Sequence, residues 1–117
     1  MQKYFGLFSS RDNVAAEFNA GTGSRWDDDF VPADDFPTDD EILLAWYEYE
    51  NCSGDAFVIF ERDGKVFEVN GGHCSCYGLE DQWAPEETSW AALAKKDFYR
   101  QPTEMNEALA ALVARRA

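Results

Sequence analysis

Residues 55–72 read DAFVIFERDGKVFEVNGG, and no other stretch restricts the fold so tightly. Asp63-Gly64 between two apolar runs is the signature of a two-residue hairpin turn. That turn sets the register: Glu61 opposite Val66, Phe60 opposite Phe67, Ile59 opposite Glu68, Val58 opposite Val69. One face then carries Val58, Phe60, Phe67 and Val69 and is wholly apolar. The other mixes Phe57, Ile59 and Val66 with Glu61 and Glu68. Such a hairpin needs a layer packed on its first face.

Candidates for that layer flank it. SSRDNVAAEFNAG reads as a helix capped by Ser9 or Ser10 and ended by Gly21, with Val14, Ala15 and Phe18 on its apolar side. APEETSWAALAKKDFY has Pro85 and acids in its first turn and Lys95 and Lys96 late, which suits the helix macrodipole. PTEMNEALAALVARRA offers Thr103 as cap and Leu109, Leu112 and Val113 as a stripe. Two further strands are expected, at 3–8 and at 42–50. In the second, Tyr47 and Tyr49 alternate with Glu48 and Glu50. A helix over the same residues is the alternative, because Thr38 and Glu41 have the spacing of a capping box. The expectation is one α+β domain over residues 1–117: an antiparallel three- to four-stranded sheet with helices on one face. The aromatic edge AWYEY is a place where another chain could pair.

The chain has 117 residues, 45% of them hydrophobic, enough for one compact core. No apolar run approaches the ~18 residues that span a bilayer. MQKYFGLFSS is too short and polar for a secretion signal. Three cysteines, an odd number, suit a reducing compartment better than a disulfide framework. The expected location is the cytoplasm.

Charge is the second constraint. The net value is −13, and it is not spread evenly. Residues 1–25 are net +1 and residues 62–117 net −2; residues 26–61 hold twelve acids and no Lys or Arg. Within that third, WDDDFVPADDFPTDDE alternates acid groups with Trp26, Phe30, Val31 and Phe36, while Pro32 and Pro37 block a regular helix or central strand. A solvated tail has no use for those aromatics. The stretch at about 26–41 reads as a loop pinned by aromatics and presenting carboxylates. Calcium fits poorly: Val31 falls where an EF-hand needs its third ligand, and no glycine follows. Phosphates would repel this charge, so direct binding to nucleic acid or to an anionic membrane is not expected, whereas a basic protein is a natural partner.

The chemistry-bearing residues are few. GGHCSCY places His73, Cys74 and Cys76 together, with Cys52 upstream, and three thiolates with an imidazole are a legitimate zinc set. The C-x-C spacing is poor for zinc, and in an extended strand His73 points away from both cysteines. A Cys–His nucleophile pair is disfavoured because the two residues are adjacent. Small thiols in a turn after Gly71 and Gly72 are the plainer reading. No P-loop, Rossmann glycine pattern or GxSxG is present. No enzyme activity, cofactor or metal is expected.

Residues 47–93 combine the aromatic–acidic strand, the Asp-Gly hairpin, HCSCYGLE and a following WAPEET. In these motifs the chain resembles a small family of uncharacterised proteins carried by phages and prophages. The resemblance implies a small accessory protein and carries no site residues with it. Together, charge and resemblance suggest an interaction protein that imitates nucleic acid and inhibits or sequesters a nucleic-acid-binding host protein, such as a defence nuclease or CRISPR effector. The residues expected to meet it are Asp27, Asp28, Asp29, Asp34, Asp35, Asp39, Asp40, Glu41, Glu48 and Glu50. A small zinc protein and a virion or assembly component are the alternatives.

Overall fold

The structure is a computed structural model and describes residues 3–22, 30–50, 53–73, 78–79, 82–95 and 103–116. Its centre is the expected hairpin, formed by β5 (Ser53–Arg62) and β6 (Lys65–His73). Each of the four cross-strand pairs read from the turn is present. Asp63 and Gly64 have φ of 54° and 78°, the left-handed pair that a twisted two-residue hairpin needs.

β4 (Ile42–Glu50) lies antiparallel to β5, so 42–50 is a strand. The capping-box hydrogen bonds nevertheless form: Thr38 N–H donates to Glu41 Oε1 at 2.8 Å, and Glu41 N–H donates to Thr38 Oγ1 at 3.2 Å. They close a single turn that delivers the chain into β4. β1 (Tyr4–Gly6) pairs with β4 in parallel, with Phe5 opposite Trp46, and β7 (Glu86–Thr88) pairs antiparallel with β6. The sheet therefore has five strands, ordered β1-β4-β5-β6-β7, and is mixed rather than wholly antiparallel. Residues 86–88, expected in the first turn of a helix, are an edge strand instead. Helix α2 (Trp90–Ala94) starts only after Ser89, whose hydroxyl accepts from Ala92 N–H.

A parallel pair requires a crossover. Here it is the chain from Leu7 to Glu41, which contains helix α1 (Arg11–Glu17), the short pair β2 (Gly21–Thr22) and β3 (Val31–Pro32), and the acidic stretch. Ser10 caps α1, with its side chain accepting from Asn13 N–H. The stop is not Gly21, which belongs to β2. It is Asn19, with φ of 56°, after which Ala20 N–H bonds back to the Ala15 carbonyl.

Both faces of the sheet are covered. On one, Ala45, Tyr47, Ala56, Val58, Phe60 and Val69 pack against Phe8, Val14, Ala15, Phe18 and Phe36 of the crossover, together with Leu79. On the other, Leu44, Trp46, Phe57, Ile59 and Val66 pack against Leu93 of α2 and Met105, Leu109 and Leu112 of helix α3 (Thr103–Arg116). Helices on one face only was too few: the second face of the hairpin is apolar enough to demand its own cover. Ala45, Trp46 and Tyr47 of the AWYEY segment are not an edge, because β1 pairs with them; that pairing stops before Glu48 and Tyr49. The two outermost strands have three residues each, and Glu86 and Glu87 are exposed on one of them, a common defence against edge-to-edge association. Among the described residues no helix is long and apolar enough to cross a membrane.

Candidate functional site

The acidic stretch is fastened to the domain by cations from elsewhere in the chain. Lys3 Nζ donates to the Asp39 carbonyl and pairs with its carboxylate at 3.5 Å. Tyr4 Oη donates to Asp39 Oδ1 at 2.6 Å. Arg11 donates to the carbonyls of Pro37, at 2.8 Å, and Phe36, at 3.3 Å, and its guanidinium lies 5.5 Å from the Phe36 ring centre. Arg62 makes a two-pronged pair with Glu41, both N···O distances 3.0 Å, and donates to the Asp35 carbonyl at 2.9 Å. Proline supplies no N–H and blocks a helix, so this stretch has main-chain carbonyls to spare. Arg11 and Arg62 use them.

These clamps set the electrostatics. The Tyr4 hydroxyl, and then Lys3, hold Asp39 below the usual carboxylate range. Burial first, and then the Asp39 carboxylate, push the Tyr4 phenol above its ordinary value. The Arg62 guanidinium, helped by Thr38 N–H, pushes Glu41 from 4.5 down to about 2. A depressed carboxylate contributes stability above its unfolded pKa and loses it as pH falls through the folded value. The Glu41–Arg62 pair, roughly a quarter to a third exposed, is therefore expected to contribute ~1–2 kcal/mol near neutrality after solvent screening. That contribution should fade between about pH 4.5 and pH 2. Urea denaturation of the native protein and Glu41→Gln at pH 7, 4 and 2.5 checks it. The stability gap between the two should shrink with acid; a gap that stays constant contradicts the assignment.

The expected partner-binding residues separate into groups. Asp34, Asp35, Asp39, Asp40 and Glu41 gather where the crossover meets β4. Two of them are engaged within the chain: Asp39 by Lys3 and Tyr4, Glu41 by Arg62. The side chains of Asp34, Asp35 and Asp40 are exposed. Glu48 and Glu50 belong to the far end of β4, about 20–30 Å away at ~3.3 Å per residue. There Glu48 stands opposite Asp55, and Glu50 opposite Ser53. The seven described residues thus fall into two groups, and the group where the crossover meets β4 is the stronger candidate. Asp27, Asp28 and Asp29 lie outside the described residues.

So do Cys52, Cys74 and Cys76. His73 ends β6 rather than following it, and its Nδ1 is 2.7 Å from the hydroxyl oxygen of Tyr47, a buried ring. Gly71 and Gly72 are strand residues, not a turn; both main-chain groups of Gly72 bond to the Gln82 side chain at 2.8 Å. Among the described residues no three His, Cys, Asp or Glu side chains are grouped to hold a metal ion.

Beside the acidic stretch is a cavity of about 330 Å³ whose lining includes Phe18, Asn19, Asp35, Phe36 and Trp83. The Trp83 ring centre is 4.6 Å from Phe36, 5.2 Å from Phe18 and 5.9 Å from Phe60. Neither the clamps nor this cavity was legible in sequence spacing, since each joins residues from separate elements.

Comparison with known proteins adds no relative: no family model matches the chain, and neither a curated protein nor a solved structure matches it significantly.

Proposed function

We propose that the protein is an acidic interaction module. Its carboxylates occupy a basic, nucleic-acid-binding groove on a partner protein and so keep nucleic acid out. One observation carries this reading: twelve acids and no base occupy residues 26–61, and the 34–41 part is held in place by Lys3, Arg11 and Arg62. Fixing charges before binding lowers the ordering cost of association. Each exposed carboxylate then meets a lysine or arginine that otherwise meets a phosphate, and the binding inherits the salt dependence of phosphate contacts. The resemblance of residues 47–93 to phage-borne proteins makes a host defence nuclease or another host nucleic-acid-binding protein the natural class of target. The cytoplasm is then where the encounter takes place.

The test is titration against a panel of such host proteins at ~50 and ~300 mM salt, with DNA as competitor. A partner should bind more weakly at high salt and release its DNA. The double variant Asp34→Asn/Asp40→Asn removes two exposed charges. It should weaken binding about tenfold and flatten the salt dependence, in proportion to the number of ion pairs removed. A partner indifferent to both salt and substitution rules the reading out.

A further inference from the structure

We infer that Gln82 is an edge lock: its side-chain amide stands in for a strand residue and keeps the open end of β6 from pairing with a second copy of this chain. The inference does not depend on the proposed function. β7 covers only part of β6. Val66 pairs with Thr88, Phe67 with Glu87 and Glu68 with Glu86, and the main-chain ladder stops there. β6 itself runs on to His73. The exposed acids of β7 therefore guard one end of this edge and not the other.

Gln82 closes the remainder. Its Oε1 accepts from Gly72 N–H and its Nε2 donates to the Gly72 carbonyl, both at 2.8 Å. Two residues in a hydrogen-bonded antiparallel pair exchange the same two bonds through their main chains. The position agrees as well. When the β7 register is continued backwards, Ala84 falls opposite Asn70 and Gln82 opposite Gly72. Residues 82–85 are outside the strand, so Gln82 reaches with its side chain what its main chain does not. Nε2 also donates to the Gly78 carbonyl at 2.7 Å, which fixes the amide in place. Without that amide, Gly72 would offer an N–H and a C=O at a sheet edge, with no side chain of its own to keep a strand away. The edge of a second copy offers the same two groups, and two such edges can pair antiparallel about a two-fold axis.

The experiment compares the native full chain with Gln82→Ala and Gln82→Met, the second nearly isosteric, by amide hydrogen exchange and sedimentation equilibrium. Salt at ~300 mM screens the net charge of −13. In dilute solution the Gly72 amide should exchange about tenfold faster in both variants. Between ~10 μM and ~1 mM, Gln82→Ala should dimerise more than the native protein, and Gly72 should regain protection in the dimer. Gly64→Ala, a mild change at the hairpin turn, controls for general destabilisation. Unchanged exchange at Gly72 in either variant, a Gln82→Ala protein no more associated than the native one, protection regained away from 69–73, or equal association of Gly64→Ala would each overturn the inference.

Discussion

Gly6→Ala is expected to destabilise the protein by about 3 kcal/mol, the sum of a backbone and a packing term. Gly6 has φ of 68°, where an alanine costs about 1 kcal/mol. The larger share is steric. A Cβ at this position would overlap the Tyr47 carbonyl oxygen and stand 2.9 Å from Glu48 Cγ. That carbonyl is not free to move: it accepts from Leu7 N–H at 2.8 Å, and Tyr47 is buried in the core. Relief requires β1 to shift off β4. The shift would expose the Ala45–Tyr47 edge and slacken the start of the crossover. Gly64→Ala is the control. Its φ is 78°, but nothing lies within 4 Å of the added Cβ, so only the backbone term, ~1 kcal/mol, applies. Urea midpoints of the two variants separate the terms. Equal losses would mean that the clash at Tyr47 is relieved without moving β1.

The contrast between β5–β6 and β4 shows what the sequence could reveal. In the hairpin, Asp63-Gly64 fixes a register that every pair from Gly54–His73 to Arg62–Lys65 obeys. The signal is local and survives intact. β4 begins with the unbroken apolar run ILLAWY, whose alternation is hidden for two reasons. Both faces of the sheet are buried, so both phases of the alternation are apolar. A bulge between Ile42 and Leu44 also changes which residues share a face, placing Ile42 with Tyr47 and Leu44 with Trp46. EET at 86–88 fails differently. Acids after a proline are a good first helical turn, but the open edge of β6 supplied hydrogen bonds that a local rule cannot foresee. Glu68, expected to leave the second hairpin face partly polar, is buried there and accepts from Asn70 Nδ2 at 2.9 Å. That is why a covering layer on this face was not expected. The acidic stretch was legible in composition. Its fastening was not, because Lys3 and Asp39 are 36 positions apart and Arg62 reaches back 21 positions to Glu41.

Phe36→Ala is expected to cost about 3–4 kcal/mol and, under the proposed function, to weaken binding to a basic partner without removing a charge. The ring is 2% exposed, packs at 4.6 Å on Trp83 and lies under the Arg11 guanidinium. Of the described aromatic residues of the acidic stretch it is the more deeply buried. Its loss leaves a cavity in the core face and removes what holds the Phe36 carbonyl toward Arg11. Asp34, Asp35, Asp39 and Asp40 would remain, all charged, on a backbone free to sample many arrangements. Binding must then order that backbone, so affinity should fall about tenfold while the salt slope, which counts phosphate-like contacts, stays the same. This is the reverse of Asp34→Asn/Asp40→Asn, which lowers the slope and leaves the fold alone. The comparison is made at a temperature where circular dichroism shows Phe36→Ala still folded, with Phe36→Leu as a partial rescue. Undiminished affinity in a folded Phe36→Ala protein would show that the partner recognises charge alone, and that the fastening by Lys3, Arg11 and Arg62 serves only stability.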